Sequence, residues 1–217
     1  MALIATGTKR IIMGLALAVA VMFLRSDALA KQGGTSILHF NFVSAMTNTG
    51  VEPDASGTVN GKLNRQGNAS NQRLQISLAN LEPNTTYQLA AFIGDDPNST
   101  SGTEFTTDST GAFAVTYVKK GQGNASAGGQ PLPNALNPLR NVRELDIVNG
   151  STQTVLKADL TEPDKLQYLV KRLMDNTGFI PNAVGSLQIK ATTTSTKFKL
   201  TASGLTPNTD YVLTING

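Results

Sequence analysis

Apolar residues recur at every second position in several stretches of the chain. Leu74, Ile76 and Leu78 alternate with Gln75 and Ser77, and Phe198, Leu200 and Ala202 alternate with Lys199 and Thr201. A two-residue period places each apolar set on one side of a pleated strand, so both runs are expected to be strands that bury one face. Residues 37–43 carry the same period, with Leu38, Phe40 and Phe42 on one face and His39 on the other. Residues 142–148 and 152–160 flank Asn149-Gly150, a pair suited to a turn in which both positions take positive φ, and a hairpin is expected there. A second hairpin is expected where the turn-forming residues 106–111 precede the run 112–118. One segment departs from period two. Leu166, Leu169, Val170, Leu173 and Met174 recur at helical spacing, Thr161 and Asp164 stand as in a capping box, Pro163 suits a first turn and Gly178 a stop. The spacing predicts a packed amphipathic helix over residues 162–176, covering an open end or face of the fold.

The two strongest alternating runs belong to an internal repeat. Residues 74–89 match residues 198–213, with Leu-x-Pro-Asn-Thr-x-Tyr-x-Leu in common, and residues 57–62 align with 185–190 once the loop of the first copy is allowed to be longer. Pro83 and Pro207 fix φ and cannot continue a strand ladder, while Asn84 and Asn208 tolerate the turn conformation that follows. The chain is therefore expected to arch from one sheet to another at each point. Tyr87 and Tyr211 then head the next strand, where a ring can pack inside while its hydroxyl bonds backbone a few residues upstream, the arrangement called a tyrosine corner. Leu81, Pro83, Thr85 and Tyr87, with Leu205, Pro207, Thr209 and Tyr211, resemble the corner of fibronectin type III and related immunoglobulin-like sandwiches. The resemblance covers the repeats alone. The chain lacks the Trp such modules carry in an early core strand and has the extra hairpin over 106–118.

The expected fold class is all-β, with immunoglobulin-like antiparallel β-sandwich units and one packed amphipathic helix. Residues 1–30 are expected to be a signal peptide and 31–120 a first sandwich unit. Residues 121–141, rich in Gly, Pro and Asn, read as a linker or loop. Residues 142–217 hold the hairpin, the helix and a second, incomplete repeat. That repeat either merges with the first copy into one sandwich or leaves an open edge that takes a strand from another chain.

Charge changes its meaning once the first residues are considered. Lys9 and Arg10 precede an apolar run over 11–24, and Ala28-Leu29-Ala30 supplies small residues at the −3 and −1 positions. Cleavage is expected before Lys31, because the run is shorter than the roughly 20 residues a spanning helix needs. Of 18 basic and 15 acidic residues, Lys9, Arg10, Arg25 and Asp27 leave with that segment. The remainder is close to neutral, so neither nucleic acid nor, after signal removal, a membrane is an expected partner. Cys is absent, which leaves stability to a core and excludes thiolate metal sites and thiol nucleophiles. The expected location is secreted, periplasmic or at the cell surface.

Catalytic equipment is sparse. His39 is the single histidine and is expected on a surface face, so no Ser-His-Asp system and no His or Cys zinc site is expected. Asp95, Asp96, Glu104 and Asp108 would converge if residues 86–94 and 103–107 are neighbouring strands, an oxygen-rich cluster of the kind that holds calcium. No other cofactor is expected. These residues lead to an exported noncatalytic structural, adhesive or binding protein, with a protein or surface glycan as partner or self-association through an open sheet edge. A carbohydrate-binding module is the alternative, with a carboxylate-dependent hydrolase behind it.

Overall fold

The computed structural model describes residues 37–67, 69–94, 102–119, 129–176 and 178–212. Residues 1–36, which hold the expected signal peptide, Asp95, Asp96 and residues 121–128 lie outside the described residues. The described chain is all-β. In order it forms β1 (Ile37–Asn48), β2 (Ser56–Gln66), β3 (Ala69–Ala79), β4 (Thr86–Ile93), β5 (Glu104–Thr106), β6 (Phe113–Lys119), β7 (Gln130–Pro131), β8 (Val142–Val148), β9 (Thr154–Asp159), β10 (Lys165–Met174), β11 (Val184–Thr192) and β12 (Thr196–Ser203).

These strands make one continuous, curled sheet in the order β5-β4-β8-β9-β1-β2-β3-β6-β7, with β10, β11 and β12 branching from β1. Every contact is antiparallel except β6 with β7. Strand β1 is the branch point. One edge pairs β2 over residues 37–46; the other pairs β10 over residues 37–43 and then β9 at Thr47 and Asn48. In the gap between them the Ala45 N–H donates to Asp164 Oδ2 at 2.6 Å, and the Ser44 hydroxyl donates to the Asp159 carbonyl at 3.3 Å. Side chains thus satisfy backbone that neither strand reaches.

Period-two burial explains the curl. Phe40 and Phe42 of β1, Val59 and Leu63 of β2, and Leu74, Ile76 and Leu78 of β3 join Tyr87, Leu89, Leu145, Ile147 and Leu156 of β4, β8 and β9 in one core cluster. The path over β4, β5, β8 and β9 therefore forms a second layer across β1, β2, β3 and β6. Chain direction changes layer at the Pro83 corner, as expected, because β3 pairs within the first layer and β4 within the second.

Four expectations need correcting or refining. Residues 162–176 hold strand β10, not a helix. Leu166, Tyr168 and Val170 supply a period-two set as well, and the free edge of β1 offers a ladder of backbone partners that an isolated helical stripe cannot match. Residues 106–118 are not a hairpin: β5 pairs β4 while β6 pairs β3, so the connection crosses between layers, with Phe105 and Phe113 stacked at 4.1 Å. The β8–β9 hairpin is present but longer than two residues. Asn149 Oδ1 accepts from the N–H groups of Ser151 and Gln153, and Thr152, not Asn149, takes positive φ. Residues 129–141 form a loop that is part of the core wall, since Leu132, Leu136 and Leu139 are buried. Gln72 fixes it by donating to Asn137 Oδ1 and accepting from the Leu139 N–H, both at 2.7 Å.

The repeat runs further back than residues 57–62. Asn48 donates to the carbonyls of Glu52, Pro53 and Ala55 and accepts from the Gly50 N–H. Asn176 does the same to Ile180, Pro181, Ala183 and Gly178. Met46 lies against Gly57, where a Cβ would come within 2.8 Å of its sulfur, and Met174 lies against Gly185 at 2.9 Å. Strand β10 is thus the counterpart of β1, β11 of β2 and β12 of β3. Phe40 pairs with its own counterpart Tyr168, and Leu38 and Phe42 pair with Val170 and Leu166. The copies meet through equivalent strands about a local two-fold axis, the geometry of an isologous interface within one chain.

Both tyrosine corners form. Tyr87 Oη accepts from the Glu82 N–H at 3.0 Å and donates to Glu52 Oε1 at 2.7 Å; Tyr211 Oη accepts from the Thr206 N–H at 2.9 Å. Burial and the Glu52 carboxylate push the Tyr87 phenol far above its ordinary value. The rings differ in setting, with Tyr87 1% exposed and Tyr211 44% exposed. Tyr87→Phe is expected to cost about 1–3 kcal/mol in urea unfolding because it strips a buried hydrogen-bond network, and Tyr211→Phe less than about 1 kcal/mol. Equal losses would contradict this assignment.

Candidate functional site

The calcium candidates do not gather among the described residues. Glu104 sits exposed on β5 opposite Gln88. Asp108 lies in the turn after β5, where Oδ1 accepts from the Thr110 N–H, the Thr110 hydroxyl and the Ala112 N–H at 2.7 to 3.0 Å. Those donors hold its carboxyl below the usual carboxylate range, and they make it a turn-closing acceptor. Asp95 and Asp96 lie outside the described residues. No group of three or more His, Asp or Glu able to hold a metal ion occurs among the described residues. His39 is exposed on β1 and shares a hydrogen bond with Asn64 Oδ1 at 2.8 Å.

One buried carboxylate escaped the sequence reading. Asp146 is on β8, opposite in sense to the core residues Leu145 and Ile147, yet it is only 6% exposed. Its Oδ2 accepts from the Thr154 hydroxyl at 3.2 Å, and its Oδ1 has no hydrogen-bond partner. Neighbouring Lys157 directs its ammonium to Glu144 Oε2 at 2.6 Å instead. Burial first, and then the Glu144 charge, raise the Asp146 carboxyl above its ordinary value. Alternation alone places Asp146 on an outer face, so nothing in the local sequence signals its burial.

The feature with most capacity for function is the inner face of the second copy. Strands β10, β11 and β12 continue the core-facing side of β1, in register rows Val170–Ile189–Phe198 and Arg172–Leu187–Leu200. In the first copy the equivalent side is closed by β4, β5, β8 and β9. Over the second copy no such layer lies among the described residues, and Phe198 is 49% and Leu200 39% exposed, with Leu205 and Tyr211 also open. Volume is nevertheless exchanged as in a packed layer. Phe42 lies over Gly61, where a Cβ would strike its ring, and the equivalent pair is Val170 beside Ile189. An aromatic over a glycine becomes two aliphatic side chains, so the face keeps its fill although no covering layer lies over it among the described residues.

The buried carboxylate yields a pH test. A folded-state pKa above the unfolded value means that the contribution of Asp146 is present below its unfolded pKa and lost as pH rises through its folded pKa. Asp146→Asn is therefore expected to raise stability at pH 7 by about 1 kcal/mol, with the gain shrinking in acid. Melting temperatures of both proteins across pH check this, and a gain that grows in acid would contradict it. Comparison of the chain with protein-family models, with curated proteins and with solved structures found no match in any of the three.

Proposed function

We propose that this is an exported, noncatalytic structural or adhesive protein built on an immunoglobulin-like β-sandwich, and that it assembles by packing the uncovered face of its second repeat against the same face of another copy. One observation carries the reading: equivalent strands that are covered by a second layer in the first copy present their apolar side to solvent in the second. The proline and tyrosine corner between β3 and β4 supports the immunoglobulin-like architecture. The basic, apolar and small-residue segments of residues 1–30 support export.

A second copy is the occupant these residues favour. Eight-residue strand β12 and its two neighbours give a face of about 26 Å by 14 Å. Two such faces in contact cover roughly 700 Å², the size of a weak interface that dissociates on dilution. Its aliphatic rows are continuous with the molecule's own core, and β1 with β10 already joins two copies of this unit symmetrically. Addition of a strand at the edge is less favoured, because β12 carries Lys197 and Lys199, charges that oppose edge pairing.

Material secreted from a bacterial host is expected to begin at Lys31 by N-terminal sequencing. Sedimentation velocity over a dilution series is expected to show dimers that dissociate on dilution. Phe198→Asp with Leu200→Asp should shift the population to monomer while leaving the β spectrum of circular dichroism intact. A wild-type protein that stays monomeric at every concentration overturns the assembly reading, and an unprocessed N-terminus overturns the export reading.

A further inference from the structure

We infer that the outer face of the large sheet, opposite the uncovered one, is a binding surface for an extended acidic polysaccharide. The inference rests on the chain being exported, but not on its self-assembly.

Charge is segregated between the layers. Strands β1, β2, β3, β6, β10, β11 and β12 contain Lys62, Arg65, Arg73, Lys119, Lys165, Lys171, Arg172, Lys190, Lys197 and Lys199, and not one Asp or Glu. The second layer is the acidic one, with Glu104, Glu144, Asp146 and Asp159 against Arg143 and Lys157. By register Lys62, Arg73, Lys165, Lys171, Lys190, Lys197 and Lys199 lie on the outer side of the sheet, while Arg65, Lys119 and Arg172 fall in core-facing rows, so the outer side carries seven cations and no strand carboxylate. Asp164, which precedes Lys165, is engaged by the Ala45 N–H.

Like charges are set directly opposite each other on that side, twice. Lys62 pairs with Arg73 across β2 and β3, and Lys190 pairs with Lys197 across β11 and β12. Those are equivalent positions of the two copies. Facing like charges destabilise a sheet, and none of the four has a carboxylate partner among the described residues. A repulsive pair kept at the same place in both copies is accounted for by an anion that lies between the side chains. Lys171 and Lys199 flank Gln188 in one row of the second copy, two strands and so about 10 Å apart.

The chemistry between the cations selects the anion. Asn60 and Gln75 lie in the row next to Lys62 and Arg73, and Gln188 lies between Lys171 and Lys199. Amides alternating with ammonium groups on a pleated face suit a polymer that offers hydroxyls as well as carboxylates or sulfates. Phe40, Phe42, Tyr168 and Phe198 project to the other side of the sheet, so bases of a nucleic acid would find no ring to stack on.

The test uses the full chain beginning at Lys31, with dextran sulfate and polygalacturonate as charged glycans and dextran as the neutral one. Both charged glycans are expected to bind and dextran is not. With four cations engaged, affinity should fall about fifty-fold between roughly 50 and 200 mM salt, by analogy with single-stranded polyanions. Joint Lys62→Gln, Arg73→Gln, Lys190→Gln and Lys197→Gln should weaken binding at least tenfold without lowering the melting temperature, because repulsion is removed. Arg143→Gln on the second layer should leave binding within two-fold. Unchanged binding by the fourfold variant overturns the proposal, as does tighter binding to duplex DNA or to vesicles of anionic phospholipid than to either glycan. Sedimentation of the fourfold variant should match wild type, so loss of glycan binding and loss of assembly are read separately.

Discussion

Strand β1 carries an obligation that organises the whole molecule. Its backbone groups must be paired along two edges, and one edge is shared between β10 and β9 with Asp164 and Ser44 bridging the gap. Because β9 belongs to the second layer and β10 to the second copy, that one edge closes the curled core of the first copy and attaches the second. Neither could be moved without stranding amides in a partly buried site, where each unpaired group costs free energy. The local two-fold relation of β1 and β10 follows, since the pairing of Phe40 with its counterpart Tyr168 leaves only one register for the remaining strands.

From that register comes the contrast between the sheet's two sides. Alternation sends the apolar residues of β1, β2 and β3 into the core and those of β10, β11 and β12 onto the same side, where they meet no layer among the described residues. It sends Lys62, Lys165, Lys171, Lys190, Lys197 and Lys199 to the opposite side. One side invites association by burial of apolar surface, the other by charge, and the two are separated by the thickness of a single sheet. Both repeats therefore contribute to the charged surface, and the second alone to the exposed apolar one. The closure of the first copy by β4, β5, β8 and β9 is what distinguishes a core from an exposed face made of equivalent residues.

The error over residues 162–176 is instructive because the repeat itself contained the remedy. Leu166, Leu169, Val170, Leu173 and Met174 fit a helical stripe, but Leu166, Tyr168 and Val170 fit a strand equally, and in a run this apolar both periods find support. The choice falls to the strand because β1 has a free edge. Asn48-Thr49-Gly50 with Pro53 and Ala55 matches Asn176-Thr177-Gly178 with Pro181 and Ala183 at one constant offset. Extending the repeat through those residues makes residues 165–174 equivalent to β1 and excludes the helix.

The sequence by itself determined the all-β character, the alternating faces of β1, β3 and β12, and the two tyrosine corners, because each rests on spacing or on the restricted backbone of Pro and Asn within a few residues. Tertiary structure alone decided that β10 pairs β1, that residues 107–112 cross between layers, that Asp146 is buried, and that Lys62 and Arg73 face each other as Lys190 and Lys197 do. Those outcomes depend on which distant strand lies alongside. Periodicity names the side a residue takes, but only the pairing of strands says what stands beside it and whether anything lies above.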